Sequence, residues 1–254
     1  MPRLLLSTLM LLCTLLPATM HAHDLNPLIL SEIANMPRGG GYAVTSEASR
    51  NLRAAIRHEE EAGHLRVLPQ TAMPSYCSGA TYLVFLKTLQ RLKETGGLPL
   101  SEPLLSALLV RGQPDGTGVW GRWNANGPGT ARLFHELKLG RNFDRFELAR
   151  PGDFMKIFWT REVGQRERGH SVIYLGSETR GGVEQVRFWS SNQPDGYGEK
   201  SVPRSKIAYA IFSRLESPAA ILNAPTLPRT DPYLASLLKT RSSIAEARSK
   251  SGMR

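Results

Sequence analysis

The stretch Pro74-Ser75-Tyr76-Cys77-Ser78-Gly79-Ala80 places a cysteine where a loop runs into an apolar segment of helical period. Beyond it, Tyr82, Leu83, Phe85, Leu86, Leu89 and Leu92 fall on one broad face, while Lys87, Gln90, Arg91 and Lys93 fill the other. Cys77 is therefore expected in the first turn of a helix. Free backbone N–H groups and the positive end of the helix dipole favour the thiolate there, and the thiolate is the nucleophilic form. On position alone, a small buried hydrophobe, which is how most free cysteines behave, stands beside the nucleophile as a second reading.

At the N-terminus, Arg3 precedes an apolar run over 4–16, followed by Pro17 and small residues at Ala18 and Ala22. This is the layout of a secretory signal peptide spanning 1–22, and it predicts export to the periplasm or beyond. The run is short for a membrane span, so no stable span is expected after cleavage. Cleavage removes Cys13 and leaves Cys77 without a disulfide partner in an oxidising compartment. The 254 residues carry a formal charge of +10, which draws an exported protein toward anionic polymers such as the cell wall. Basic residues are scattered, with no aromatic-plus-basic stripe, and nucleic acid is not expected as a partner. His58 and His64 lie in a charged segment read as a solvated helix, so no metal and no cofactor is expected.

The remaining order predicts a helix capped by Ser46 and ended by Gly63, a short strand at 65–68, and a helix over 100–110. Then comes a Gly, Pro, Asn and Trp-rich loop over 112–129. Trp120 and Trp123 in that loop either line a substrate cleft or close over the core. A helix over 130–139 follows; its His135 is assigned no role. From Pro151-Gly152-Asp153 onward the period becomes that of strands: 154–159, 170–176, 183–192 and 207–215. Asp153 is read as organising its own turn. Helices followed by an antiparallel meander make an α+β fold. The expected division is an extension and helix at 23–74, a catalytic domain at 75–216, and a partly disordered tail at 217–254.

A cysteine opening a helix, a histidine opening a strand and a polar cluster closing the next strand are the parts of a thiol hydrolase. His170 is expected to be the base that deprotonates Cys77, against the alternative of a solvent-facing strand end. Period-two alternation puts Phe188, Ser190 and Asn192 on one face, and Trp189 and Ser191 on the other. If Phe188 faces the helices, Asn192 is the residue that orients the imidazole; Ser190, Ser191 or a plain turn role for Asn192 remain alternatives.

Cys77-Ser78-Gly79, Pro151-Gly152-Asp153-Phe154 and His170-Ser171-Val172-Ile173-Tyr174-Leu175-Gly176, in this order, resemble the motifs of the NlpC-like cell-wall peptidases and the related CHAP amidases. The resemblance covers about 75–215. It implies a papain-like fold with the nucleophile helix packed on the meander and a mechanism built on Cys77 and His170; Asn192 is the candidate third catalytic residue, and Tyr76, Ser78, Trp120 and Trp123 are the candidates for contacting substrate. The family's aspartate before the cysteine is replaced by Tyr76, and its usual third histidine is missing. The implied activity is cleavage of an amide bond in peptidoglycan or its peptide fragments. The competing expectations are a papain-like amidase or acyltransferase acting on a protein or lipid, and an inactive wall-binding module.

Overall fold

The computed structural model describes residues 24–59, 64–112 and 116–253; the expected leader lies outside them. The first half contains α1 (Asn26–Ala34), β1 (Gly39–Gly40), α2 (Ser46–Ala54), β2 (Ile56–Glu59), β3 (His64–Val67), α3 (Cys77–Glu94), α4 (Glu102–Leu108), α5 (Gly118–Asn124) and α6 (Gly129–Leu137). The second half is β4 (Gly140–Phe143), β5 (Phe154–Phe158), β6 (Val163–Gly164), β7 (Gly169–Arg180), β8 (Val183–Asn192), β9 (Gly196–Pro203) and β10 (Tyr209–Leu215). It closes with α7 (Pro232–Ser236), β11 (Arg241–Ser242) and α8 (Ile244–Lys250). The architecture is α+β. Seven strands form an antiparallel sheet in the order β1-β9-β8-β7-β5-β10-β4, and two small pairs, β2 with β3 and β11 with β6, stand apart from it.

Alternation along the strands divides the sheet into two faces. Phe154, Ile173, Trp189 and Tyr197 pack with Tyr82, Phe85 and Leu89 of α3, whereas Met155, Val172, Tyr174, Phe188 and Phe212 form a second cluster on the other face. The expectation that Phe188 faces the helices is therefore corrected: the bulky residue turned to α3 is Trp189. His170 and Asn192 stay together because both lie in the same alternation as Phe188. The register Ile173 to Trp189, continued three residues, sets them opposite each other.

Several expected elements move. Thr45, not Ser46, caps α2, its hydroxyl accepting from the Ala48 N–H at 3.2 Å. The helix stops at Ala54 because the next residues pair with β3 as a hairpin, so His58 and His64 lie on strands; Gly63 is outside the described residues. The 112–129 stretch is not irregular throughout: it holds α5, whose Val119, Trp120 and Trp123 are buried. Its Gln113-Pro114-Asp115 portion is outside the described residues.

Nor is the tail partly disordered between 217 and 253. Leu234, Leu237, Ala247 and Met253 pack with Val163, Phe158 and Ile211 in a third cluster. Asp231 caps α7 through the Leu234 N–H at 3.0 Å and pairs with Arg132 at 2.8 Å. The wholly buried Arg122 bonds the Pro228 carbonyl at 2.9 Å and Glu136 at 2.9 Å.

Asp153 organises more than its own turn. Its carboxylate accepts from Arg214 Nε and Nη2 at 2.8 and 2.7 Å, from Asn26 Nδ2 at 2.9 Å and from the Arg150 N–H at 2.7 Å. A buried carboxylate satisfied in this way ties α1 and β10 to the start of β5.

Candidate active site

Cys77 opens α3, and the first intrahelical bond, from the Ala80 N–H to the Tyr76 carbonyl at 2.9 Å, leaves the N–H groups of Cys77, Ser78 and Gly79 with no acceptor one turn back. The loop ahead of it is laced to the sheet. Ser75 Oγ donates to Ser191 Oγ at 2.8 Å, the Ser75 N–H to the Gly41 carbonyl at 3.1 Å, and the Ala43 N–H back to the Ser75 carbonyl at 2.9 Å.

His170, the second residue of β7, meets the thiol. Burial, the largest influence, pushes the Cys77 thiol up. The hydrogen bond to His170, the charge of that ring, the Ser171 N–H and the Lys156 ammonium together outweigh it and bring the pKa below the ordinary 9.0, to about 7. On the far side of the ring, His170 Nε2 is 3.0 Å from Asn192 Oδ1. Asn192 Nδ2 donates to the carbonyls of Gly198 and Ser190 at 2.8 and 3.3 Å, so the amide is turned with its oxygen toward the ring. That oxygen accepts only from a protonated Nε2, which leaves Nδ1 free for the thiol. Trp159 lies alongside the imidazole at 6.3 Å between centroids and Phe188 meets it edge-on at 5.7 Å. Ser190 and Ser191 are occupied elsewhere, Ser190 Oγ donating to the Ser171 carbonyl at 2.7 Å. The structure thus brings Cys77, His170 and Asn192 together and holds both serines away from the ring.

A cleft runs past the thiol in two hollows, one of about 430 Å³ on the Cys77 side and one of about 520 Å³ on the His170 side. Tyr76, Ser78 and Trp120 line the first. Ser78 Oγ donates to Asn124 Oδ1, and the Tyr76 ring meets Trp120 edge-on at 6.2 Å. Trp123 lines neither hollow. It is 2 % exposed, packed on Phe85 at 4.8 Å and Phe154 at 5.1 Å, with its indole N–H donating to Thr81 Oγ1 at 3.0 Å. Its assignment to a substrate wall is corrected: α5 turns it inward, into the core.

Three residues of the cleft escape the sequence reading. Tyr42 sits between the two hollows, and its hydroxyl bonds Cys77; burial and the sulfur's charge raise its pKa. The signal in the sequence is faint: Gly39-Gly40-Gly41 lets β1 come so close to β9 that a side chain at Gly196 would meet the Gly39 carbonyl. Lys156 and Glu167 form an ion pair of 2.6 Å beside the thiol. Glu167 also accepts from the N–H groups of Gly127 at 2.5 Å and Gly164 at 3.1 Å, which pins two loops to the cleft wall. Glu167 lies in a segment of mixed charge, where period and composition give no hint of burial. Among the described residues no three His, Cys, Asp or Glu converge as a metal site, and no helix is long and apolar enough to cross a membrane.

If Cys77 attacks a carbonyl, Tyr42→Phe removes a donor placed at the sulfur, where negative charge then passes to the carbonyl oxygen. We expect kcat to fall about 10- to 100-fold, with iodoacetamide still labelling Cys77; steady-state kinetics beside labelling checks this. An unchanged kcat removes Tyr42 from the reaction.

Comparison with protein-family models, curated proteins and solved structures finds no match to the chain.

Proposed function

We propose that the protein is an exported cysteine hydrolase with a papain-like, NlpC-type catalytic arrangement that cleaves an amide bond of peptidoglycan, within the stem peptide or between sugar and stem. The observation that carries this reading is the set Cys77, His170, Asn192. A thiol lowered to about 7 is held by an imidazole whose other nitrogen is turned to an amide oxygen. In that arrangement Cys77 attacks the carbonyl and the C–N bond breaks. His170 hands the thiol proton to the departing amine, then draws one from the water that opens the thioester. The N–H groups at the start of α3 and the Tyr42 hydroxyl receive the oxyanion. The signal-peptide pattern supports action beyond the inner membrane, where this polymer lies. The net positive charge suits an anionic wall.

Purified sacculi incubated with the mature protein are expected to release muropeptides carrying one new amine and one new carboxylate, identified by mass spectrometry, with none released by Cys77→Ala. Intact sacculi together with rapid labelling of Cys77 refute the wall as substrate while keeping the thiol chemistry.

A further inference from the structure

The two hollows differ in charge in a way that assigns them different halves of a substrate. The imidazole that receives the thiol proton delivers it to the leaving amine, so the amine half of a bound amide lies on the His170 side and the acyl half on the other. His170 and Asn192 close the inner end of that hollow, and the rings of Trp159 and Phe188 line it. Three cations, Arg168, Lys200 and Lys206, also line it.

None of the three has a carboxylate partner among the described residues. Lys200 Nζ reaches only the Gln193 carbonyl, at 3.2 Å, and its neighbour Glu199 is engaged by Arg187 at 3.1 Å. Glu167, the one acidic residue lining the hollow, is already satisfied by Lys156 and two backbone N–H groups. The hollow is therefore cationic without internal compensation, beside a wall that is apolar and aromatic. Neutral leaving groups gain nothing from three unpaired cations; an anionic one does.

We propose that the His170-side hollow is a leaving-group subsite for an amine half that bears a free carboxylate, held by Arg168, Lys200 and Lys206. This rests on the amide-hydrolase reading above and adds which half of the substrate must be charged. Because these side chains are exposed, the interaction is screened by salt and acts mainly on substrate capture.

The test uses two synthetic stem peptides that share the acyl half at the bond cut in sacculi and differ only in the carboxylate on the amine side, free in one and a carboxamide in the other. The wild-type protein is expected to favour the free acid by about tenfold in kcat/KM, chiefly through KM, and the ratio is expected to shrink as salt is raised. In the double variant Lys200→Glu, Lys206→Glu the ratio is expected to fall to one or invert. A ratio is read within one preparation, so it is independent of the fraction folded. Equal turnover of both peptides by the wild-type protein, or a ratio unchanged in the double variant, overturns the subsite and leaves the hydrolase reading standing. Failure to cut either peptide overturns both.

Discussion

Cys77→Ala is expected to abolish amide hydrolysis outright, and His170→Ala to leave no more than a trace near the same floor. In the proposed mechanism the two residues form one unit, in which the imidazole lowers the thiol's pKa and supplies the proton for the leaving amine. The double change should therefore cost little beyond either single one. Asn192→Ala should fall between, because thiol and ring remain while the tautomer and its orientation loosen. We expect a partial loss in kcat with KM nearly kept. The thiol can also be followed without substrate. With a pKa of about 7, Cys77 is about half thiolate at pH 7, where an ordinary thiol of pKa 9 is only about 1 % ionised. Labelling by iodoacetamide should therefore rise through a midpoint near pH 7. In His170→Ala the midpoint should move upward, since burial remains and the two largest lowering influences are gone. A midpoint that stays put separates the imidazole from the thiol and removes the mechanism.

Trp123→Ala is expected to damage folding rather than substrate handling. The indole fills the space between α3, α6 and β5, touching Tyr82, Phe85, Phe134 and Phe154, and its N–H is satisfied by Thr81. Truncation of a fully buried tryptophan costs about 3–5 kcal/mol, a loss of roughly 10 °C in melting temperature for a chain of this size. Thermal unfolding measured beside activity per folded molecule checks this. A stable variant with reduced turnover of polymeric substrate returns Trp123 to the cleft.

The same tryptophan shows where the sequence is readable and where it is not. Helix α3 and strands β5, β7 and β8 are legible because their apolar residues repeat at 3.6 or alternate at 2, and because Thr95-Gly96-Gly97 and Gly181-Gly182 mark their ends. Around Trp123 the glycines and asparagines outweigh two turns of helix. Only the apolar space beneath α5 decides that Val119, Trp120 and Trp123 turn inward. Strand β9 escapes for a related reason. Gly196 to Pro203 carries little apolar alternation, and its pairing is imposed by β8 next to it. Strand β2 reads as helix because Glu59 and its acidic neighbours suit a helical surface, and pairing with β3 overrides that preference.

At the site, Cys77 and His170 announce themselves by opening a helix and a strand, and Asn192 by closing the strand opposite. Choosing Asn192 over Ser191 required knowing that His170 lies on the Phe188 face of the sheet, away from α3, and the pairing of β7 with β8 settles that only once the sheet is assembled. Tyr42, Lys156 and Glu167 join the cleft from three separate segments through tertiary contact, so no spacing along the chain points to them.

The ordered tail bears on when the cleft can exist. β11 pairs with β6, the Gln165 N–H reaches the Thr240 carbonyl at 2.9 Å, and Leu237 packs beside Gly164 and Gly127, the two glycines that Glu167 holds. One wall of the cleft therefore leans on residues made some 160 positions after Cys77, at 237–242. A ribosome-bound chain that has already exposed the thiol still lacks the strand that backs this wall. Synthesis order alone thus delays the complete cleft until translation has passed the tail.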